Sequence, residues 1–344
     1  MAGPQNFGQA FPFLQKEFLN PLGVAAWGYT EDLTAASFAY FAKWQQSTAN
    51  PFPYLQKNPA QRHDLKQLLP AARSVLVFIL PYLKAKRRYL YLTKTAPWRV
   101  SGHSLAYRGL DYHLVGQAAL AAIKAKMETS GFAQLQSFAG MDTKPVLEKD
   151  LAARAKLGFI GKDGLLHTPY WGSYVFIAYL ILNQTLDLPA PGNSYPPGDF
   201  GQAQACAACP GFCQQACPVG RWPGNEVGRC LAAVTIEKAV AVAKEQKLFG
   251  QILGCDLCQD ACPLNQKLLK QAAPPAEMED YQDHFPQRPT TDLGQFFQHP
   301  LREIYAEMLP LSKRGFQKKF QGTVLAYVGK DKFLAVLAAA LKDH

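Results

Sequence analysis

Eight cysteines, all lying between Cys206 and Cys262, constrain this chain more than any other feature. They read Cys206-Ala-Ala-Cys209-Pro-Gly-Phe-Cys213-Gln-Gln-Ala-Cys217-Pro218, then Cys230, then Cys255-Asp-Leu-Cys258-Gln-Asp-Ala-Cys262-Pro263. A cubane iron–sulfur cluster takes four thiolates, so this supply suits two [4Fe–4S] clusters with no thiol left over. Structural zinc in four-thiolate sites is the main rival reading. Disulfides are a third, but the spacings are those of metal sites and the N-terminus, Met-Ala-Gly-Pro-Gln-Asn, has no signal-peptide pattern.

The two Cys-Pro endings resemble those of bacterial ferredoxin motifs, in which the last Cys of one run ligates the cluster held mainly by the other. That crossing implies one cluster on Cys206, Cys209, Cys213 and Cys262. The other would use Cys255, Cys258 and Cys217, with Cys230 filling the place of the missing middle Cys. The first run departs from the ferredoxin spacing, with three residues before Cys213 where the bacterial pattern has two. Pro210 and Gly211 lie in that gap, and a turn there would absorb the extra residue.

The chain has 344 residues, 48% of them hydrophobic and 18% charged, enough for two globular domains or one with an appendage. Its longest apolar stretches, Tyr174 to Leu182 and Phe333 to Leu341, are about half of what a bilayer span needs. A cytoplasmic location without membrane contact is expected, which also suits reduced thiolates. The net charge of +10 favours a polyanionic partner, nucleic acid being the commonest. Lys84, Lys86, Arg87, Arg88, Lys94 and Arg99 occur without an intervening acid, interleaved with Tyr89, Tyr91 and Trp98. Such a run neutralises phosphates and stacks on bases, or else is a solvated face.

Residues 1–198 read as mixed α/β. Ser74 to Leu80 and Ser173 to Leu182 are apolar and β-rich, so strands. Tyr112 to Met127 has helical periodicity, and a second helix is expected from Pro145 to a stop at Gly158. Prolines 189, 191, 196 and 197, with Gly192 and Gly198, mark a linker. Leu231 to Lys247 reads as a helix between the cysteine runs. Pro274, Pro275, Pro286 and Pro289 mark another boundary, before a helical tail from about Leu293 to Leu341.

Further strings carry chemistry: Tyr107-Arg-Gly-Leu-Asp-Tyr-His113, Met141-Asp-Thr-Lys-Pro-Val-Leu-Glu148, Leu157-Gly-Phe-Ile-Gly-Lys162, Trp171-Gly-Ser173 and Cys230-Leu-Ala-Ala-Val-Thr-Ile-Glu237. In this order, together with Gly254 to Asn265, they resemble the epoxyqueuosine reductases, from about Arg62 to Asn265. The resemblance implies an oxidoreductase that converts epoxyqueuosine to queuosine at the wobble position of tRNA. Cob(I)alamin would be recharged by the two clusters. It implies a nitroreductase-like α/β (α+β) cobalamin-binding catalytic domain over 1–198, a bacterial-ferredoxin-like domain with two [4Fe–4S] clusters over 199–285 and a short helical C-terminal tail over 286–344.

The resemblance makes Asp142 the proton donor. Delivering a proton at neutral pH requires a carboxyl held above its ordinary range by its surroundings, whereas a helix start at Pro145 would act the other way. Tyr107, Asp142, Gly161, Lys162 and Ser173 are its implied cofactor contacts. Lys156 and Asp163 stand where the family usually has Gly and Asn. Asp111 is equally a helix cap. Glu148 and Glu237 read as partners of nearby basic groups, and His63 as a packing residue. The implied partners are the tRNA anticodon stem-loop, met in part by Arg302, Lys313, Arg314, Lys318 and Lys319, and an external electron donor such as a flavodoxin or ferredoxin system. The competing functions are a corrinoid reductive dehalogenase-like oxidoreductase, a ferredoxin-type electron carrier and a cluster-containing RNA-binding protein.

Overall fold

Long unbroken apolar runs become central strands when both faces of a sheet are covered. In the computed structural model, which describes residues 18–47, 52–92, 98–130, 132, 134–188, 190–195, 201–222, 226–243, 245–270 and 288–343, two such runs form the middle of a sheet. The strands among these residues are β1 (Ala26–Thr30), β2 (Ser74–Pro81), β3 (Arg99–Val100), β4 (Ser137–Gly140), β5 (Phe159–Ile160), β6 (Leu166–His167), β7 (Val175–Leu182), β8 (Gly192–Asn193) and β9 (Gln251–Leu253). Five of them make an antiparallel sheet in the order β4-β7-β2-β1-β8. β2 is buried at every position, and its register runs from Ser74 opposite Leu182 to Pro81 opposite Val175.

The Tyr112–Thr129 helix packs on β4 and β7 through a buried stripe that includes Val115, Ala119, Leu120, Ile123 and Met127. The Glu148–Arg154 helix packs on β2 and β7. The result is a mixed α/β fold whose first core runs from Leu19 to Leu186, with Leu268 added from beyond the cysteines.

Several expectations need correction. The helix expected from Pro145 begins at Glu148. A residue before proline is disfavoured in the α region, and here Val146 N–H turns back to the Lys144 carbonyl at 2.8 Å, a tight turn ahead of the helix. Its end is set by Lys156, whose φ of 55° is left-handed, rather than by Gly158. Gly158 instead admits β6: a Cβ there would lie 2.1 Å from the His167 carbonyl oxygen. The helix expected over Leu231 to Lys247 stops at Ile236. Lys332 Nζ takes the Glu237 carbonyl at 2.7 Å and the Val240 carbonyl too, drawing that backbone out of a helical path. Gly192 and Asn193, read as linker, pair with β1 as an edge strand. Pro189, Pro196, Pro197, Gly198, Pro274, Pro275 and Pro286 lie outside the described residues, as do Lys94 and the N-terminal segment.

A second core joins three parts of the chain. Trp98, Val100 and Leu105 come from the first half. Leu231, Val234, Leu248, Ile252 and Leu253 come from between the cysteine runs. Phe297, Ile304, Phe316, Phe320, Phe333 and Leu337 come from the C-terminal helices. Those helices are Leu293–Phe296, Leu301–Met308, Lys313–Lys319, Val324–Val328 and Lys330–Ala340, which together make up the helical tail expected from about Leu293. β3 pairs in parallel with β9 and stitches the first half to this core.

Candidate redox and acid–base site

The first cysteine run folds as the Gln202–Ala208 helix, a turn, and the Phe212–Gln215 helix. Gly211 in the turn has φ 86°, a left-handed conformation that glycine adopts without steric penalty, and this accommodates the longer gap before Cys213. Cys206, Cys209, Cys213 and Cys262 line one cavity of about 70 Å³, together with Lys162, Asp163 and His167. The Cys209 thiol is held below its usual range by the backbone N–H groups of Phe212 and Gly211, against a small effect of burial and with help from Lys162. Burial, with Asp163, Cys262 and Cys206 nearby, pushes Cys213 up to about 11.

The other four cysteines form a second group. Burial, with Cys230, Asp256 and Cys217 close by, pushes Cys255 up to about 12. Cys258 is driven well above its usual range, chiefly by burial and also by Asp163, Cys255 and Cys230. Arg221 Nη1 lies 3.6 Å from Cys230 Sγ. All eight thiols are unpaired. Buried thiols with raised pKa are poor free nucleophiles, and a bound cationic centre is what makes their thiolate forms favourable. The two groups have the residue types of four-thiolate centres, though among the described residues they do not form a preassembled metal-binding cluster.

Asp256, Gln259 and Asp260, between the second-run cysteines, engage residues at the ends of β2 and β7 and on the helices that follow β2 and β3. Asp256 and Asp260 receive Lys86 Nζ at 2.8 and 2.9 Å, and Asp256 also accepts Gly102 N–H at 2.7 Å. The Asp260 carboxylate accepts from Tyr174 at 2.8 Å, and the Gln259 amide oxygen from Tyr82 at 3.2 Å. Ser173 Oγ donates to Gln259 at 3.0 Å and accepts from Asn265 Nδ2 at 2.8 Å. Lys86 is buried, yet its two aspartates outweigh desolvation and keep it charged. The basic run of the sequence is thus partly structural: Lys86 binds the cysteine segment and Trp98 is buried in the second core, while Lys84, Arg88 and Arg99 are exposed. The side chains of Tyr89 and Tyr91 lie outside the described residues.

Asp142 stands on the loop between β4 and the Glu148–Arg154 helix, with φ 52° and a side chain 64% exposed. It lies six residues before the first helical residue, Glu148, outside the helix's first turn. Its N–H donates to Glu148 Oε1 at 2.6 Å, and Tyr112 donates its hydroxyl proton to Oδ2. Burial and the Asp142 charge push the Glu148 carboxyl well above its ordinary range. Glu148, expected to serve a basic group, therefore holds the Asp142 backbone.

Asp111 caps the Tyr112–Thr129 helix, accepting His113 N–H at 2.9 Å, and its Oδ1 lies 2.7 Å from His113 Nδ1. Burial favours the neutral forms of both side chains, but the contact reverses this, lowering the Asp111 pKa and raising that of His113.

The remaining candidates lie deeper. Tyr107 is 2% exposed, at φ 52°, with its hydroxyl 3.3 Å from where a Cβ on Gly23 would lie. Ser173 is engaged in the seam described above. Gly161 lies against the buried Asp163–His167 pair: a Cβ there would lie 2.7 Å from the His167 ring. Lys162 Nζ donates to the carbonyls of Ala207 at 3.1 Å and Cys209 at 2.5 Å. Ile160, beside them, is 42% exposed. His63 packs against Phe38, with ring centroids 4.7 Å apart. Glu237 accepts the Tyr327 hydroxyl at 3.0 Å and lies near Lys332.

A sheet-bearing α/β fold docked on two thiol groups, with an acid–base loop beside it, has the features of a redox enzyme. No family model matches the chain. It is 32% identical over 266 residues to an epoxyqueuosine reductase from Synechocystis sp., a match covering 76% of this chain and 83% of that protein. An epoxyqueuosine reductase from Francisella cf. novicida is 29% identical over 314 residues, covering 88% of this chain and 78% of the relative. The chain is also similar in fold to a crystal structure of epoxyqueuosine reductase with an epoxyqueuosine-modified tRNA-Tyr stem loop, with TM-score 0.68 and 22% identity over 97% of this chain and 82% of that one. The protein is an oxidoreductase. It belongs to the epoxyqueuosine reductase family.

Proposed function

We propose that this protein reduces epoxyqueuosine to queuosine in the anticodon stem-loop of tRNA, using cobalamin and two [4Fe–4S] clusters, with Asp142 as proton donor. Membership of the reductase family is the observation that carries this reading. One cluster would sit on Cys206, Cys209, Cys213 and Cys262, and the other on Cys217, Cys230, Cys255 and Cys258, the two groups into which the thiols fall. Residues 1–198 would be a nitroreductase-like cobalamin domain, 199–285 a ferredoxin-like domain and 286–344 a helical extension. The electrons would come from an external flavodoxin or ferredoxin system.

The backbone amides of the 158–164 loop, which carries Gly161 and Lys162, would meet the polar amide edge or phosphate of cobalamin, with exposed Ile160 offering an apolar contact to the ring face. Lys162 also reaches the first cysteine run, so the same residue would touch cofactor and cluster loop. Ser173 and Tyr107 would act by shaping the fold behind the site, since both are buried. Cobalamin, held there, would supply the electron pair that opening the epoxide requires. Asp142 delivers a proton to the epoxide oxygen. A substrate ring over this exposed carboxyl would exclude water and favour its protonated form. Tyr112 and Glu148 hold the acid from side chain and backbone.

The test is anaerobic: reconstituted protein, cobalamin, a reductant and a tRNA stem-loop carrying epoxyqueuosine, with the nucleoside followed by mass spectrometry. Queuosine is expected. Its absence once cobalamin is shown to bind overturns the reading. Iron and sulfide analysis should give about eight of each per chain, and Cys213→Ser should lower both to about four if only its own cluster is lost.

A further inference from the structure

We propose that His113, held by Asp111, reloads Asp142 with the second proton that each turnover requires. The inference rests on the reductase reading above. Removing the oxygen of an epoxide breaks two C–O bonds, forms one C=C bond and releases water. It consumes two electrons, supplied by the external reductant through the cofactors, and two protons. A carboxylic acid carries one proton, so a single donor must be recharged partway through the reaction or share the work.

The geometry supplies a route. The Asp111 carboxylate fixes the His113 ring from one side, with Oδ1 2.7 Å from Nδ1. The other ring nitrogen, Nε2, then faces Asp142 Oδ2 at 3.8 Å. That is longer than a hydrogen bond, and one water or a small swing of the exposed Asp142 side chain closes it. Tyr112 keeps the two groups in line. Its ring lies between Phe176, with centroids 4.3 Å apart at 8°, and His113, with centroids 4.1 Å apart at 28°. Its hydroxyl donates to the same Asp142 oxygen.

The groups acting on His113 and its target from the packed elements are Asp111 on the preceding turn, Tyr112 on the same helix, Asp142 on the neighbouring loop and Glu148 behind it, with His103, Lys149, Tyr54 and Tyr327 also within electrostatic reach of Asp142. Burial disfavours the imidazolium, but the two aspartates favour it and prevail. Tyr112 is pushed well above its ordinary range by burial and Asp142, so it keeps its proton and positions the acid. His113, at 28% exposure, is in contact with solvent and can pick up the next proton there.

The test uses the full chain. In reconstituted enzyme, His113→Ala should lower turnover on the order of 10²-fold while leaving cobalamin binding unchanged. Added imidazole should restore about tenfold. Asp111→Asn keeps a cap and should move the alkaline limb of the pH–rate profile to lower pH. Independently of activity, NMR titration of cofactor-free protein should show His113 losing proton affinity in both Asp111→Asn and Asp142→Asn. Wild-type turnover in His113→Ala overturns the relay. So does a loss that imidazole does not rescue, or a His113 titration indifferent to Asp142→Asn. An inactive wild-type enzyme overturns the reductase reading instead, while the titration still tests the His113–Asp142 coupling.

Discussion

Asp142 is exposed in the free protein, and Tyr112 and Glu148 fix its position. Asp142→Ala should therefore fold and bind cobalamin normally and lose turnover by about 10²- to 10⁴-fold, as measured under single-substrate saturation. The Asp111–His113 pair has a signature in stability. The pKa of His113 is raised above 6.5, so its contribution is complete below about that pH and disappears as pH rises through the higher folded value. Asp111 is depressed below 3.8, so its share is present above that value and is lost as pH falls through the lower folded one. Urea melts of wild type and His113→Gln should thus converge once pH exceeds the raised folded value of His113 and separate below about 6.5. Asp142 could be singled out in the sequence because it lies in a string that resembles a family's. The part played by Glu148 could not, because a carboxylate reaching back six residues to a backbone N–H leaves no spacing signature.

Helix ends show where local signals were outweighed. Lys156 takes the left-handed position that closes the Glu148–Arg154 helix, at a cost of about 1 kcal/mol for a residue with a Cβ. Lys156→Gly should raise the melting temperature, with a net gain of about 0.5 kcal/mol after the extra freedom of the unfolded glycine is subtracted. The unbroken apolar character of β2 and β7 made them readable as strands, since both lie at the middle of a covered sheet. The helix after Leu231 was misjudged in length because its terminator, Lys332, lies far along the chain and acts on carbonyls. Gly211 was readable as a turn because the motif around it was one residue too long.

At the scale of the molecule, the basic run is the most instructive misreading. Lys86 looked like part of a solvated or RNA-facing stripe and is instead the buried cation that ties the second cysteine segment to the Leu83–Leu92 helix, which follows β2. Charge runs report composition, and only burial separates a surface lysine from a structural one. Lys86→Met should destabilise the protein by about 3 kcal/mol, because it leaves two carboxylates with no cation in a buried seam. Adding Asp256→Asn should recover part of that loss in the same thermal melt.

The second core has a consequence for synthesis. The first core has almost all of its members once Leu186 has left the ribosome, with Leu268 to follow. The second waits for Phe333, Leu337 and Ala340. The eight cysteines therefore emerge into a half-built protein, after the sheet that one side of them docks on and before the helices that complete the neighbouring core. If the thiols take up the clusters proposed above, the order of translation would favour loading once the Lys330–Ala340 helix has closed the second core over the neighbouring residues.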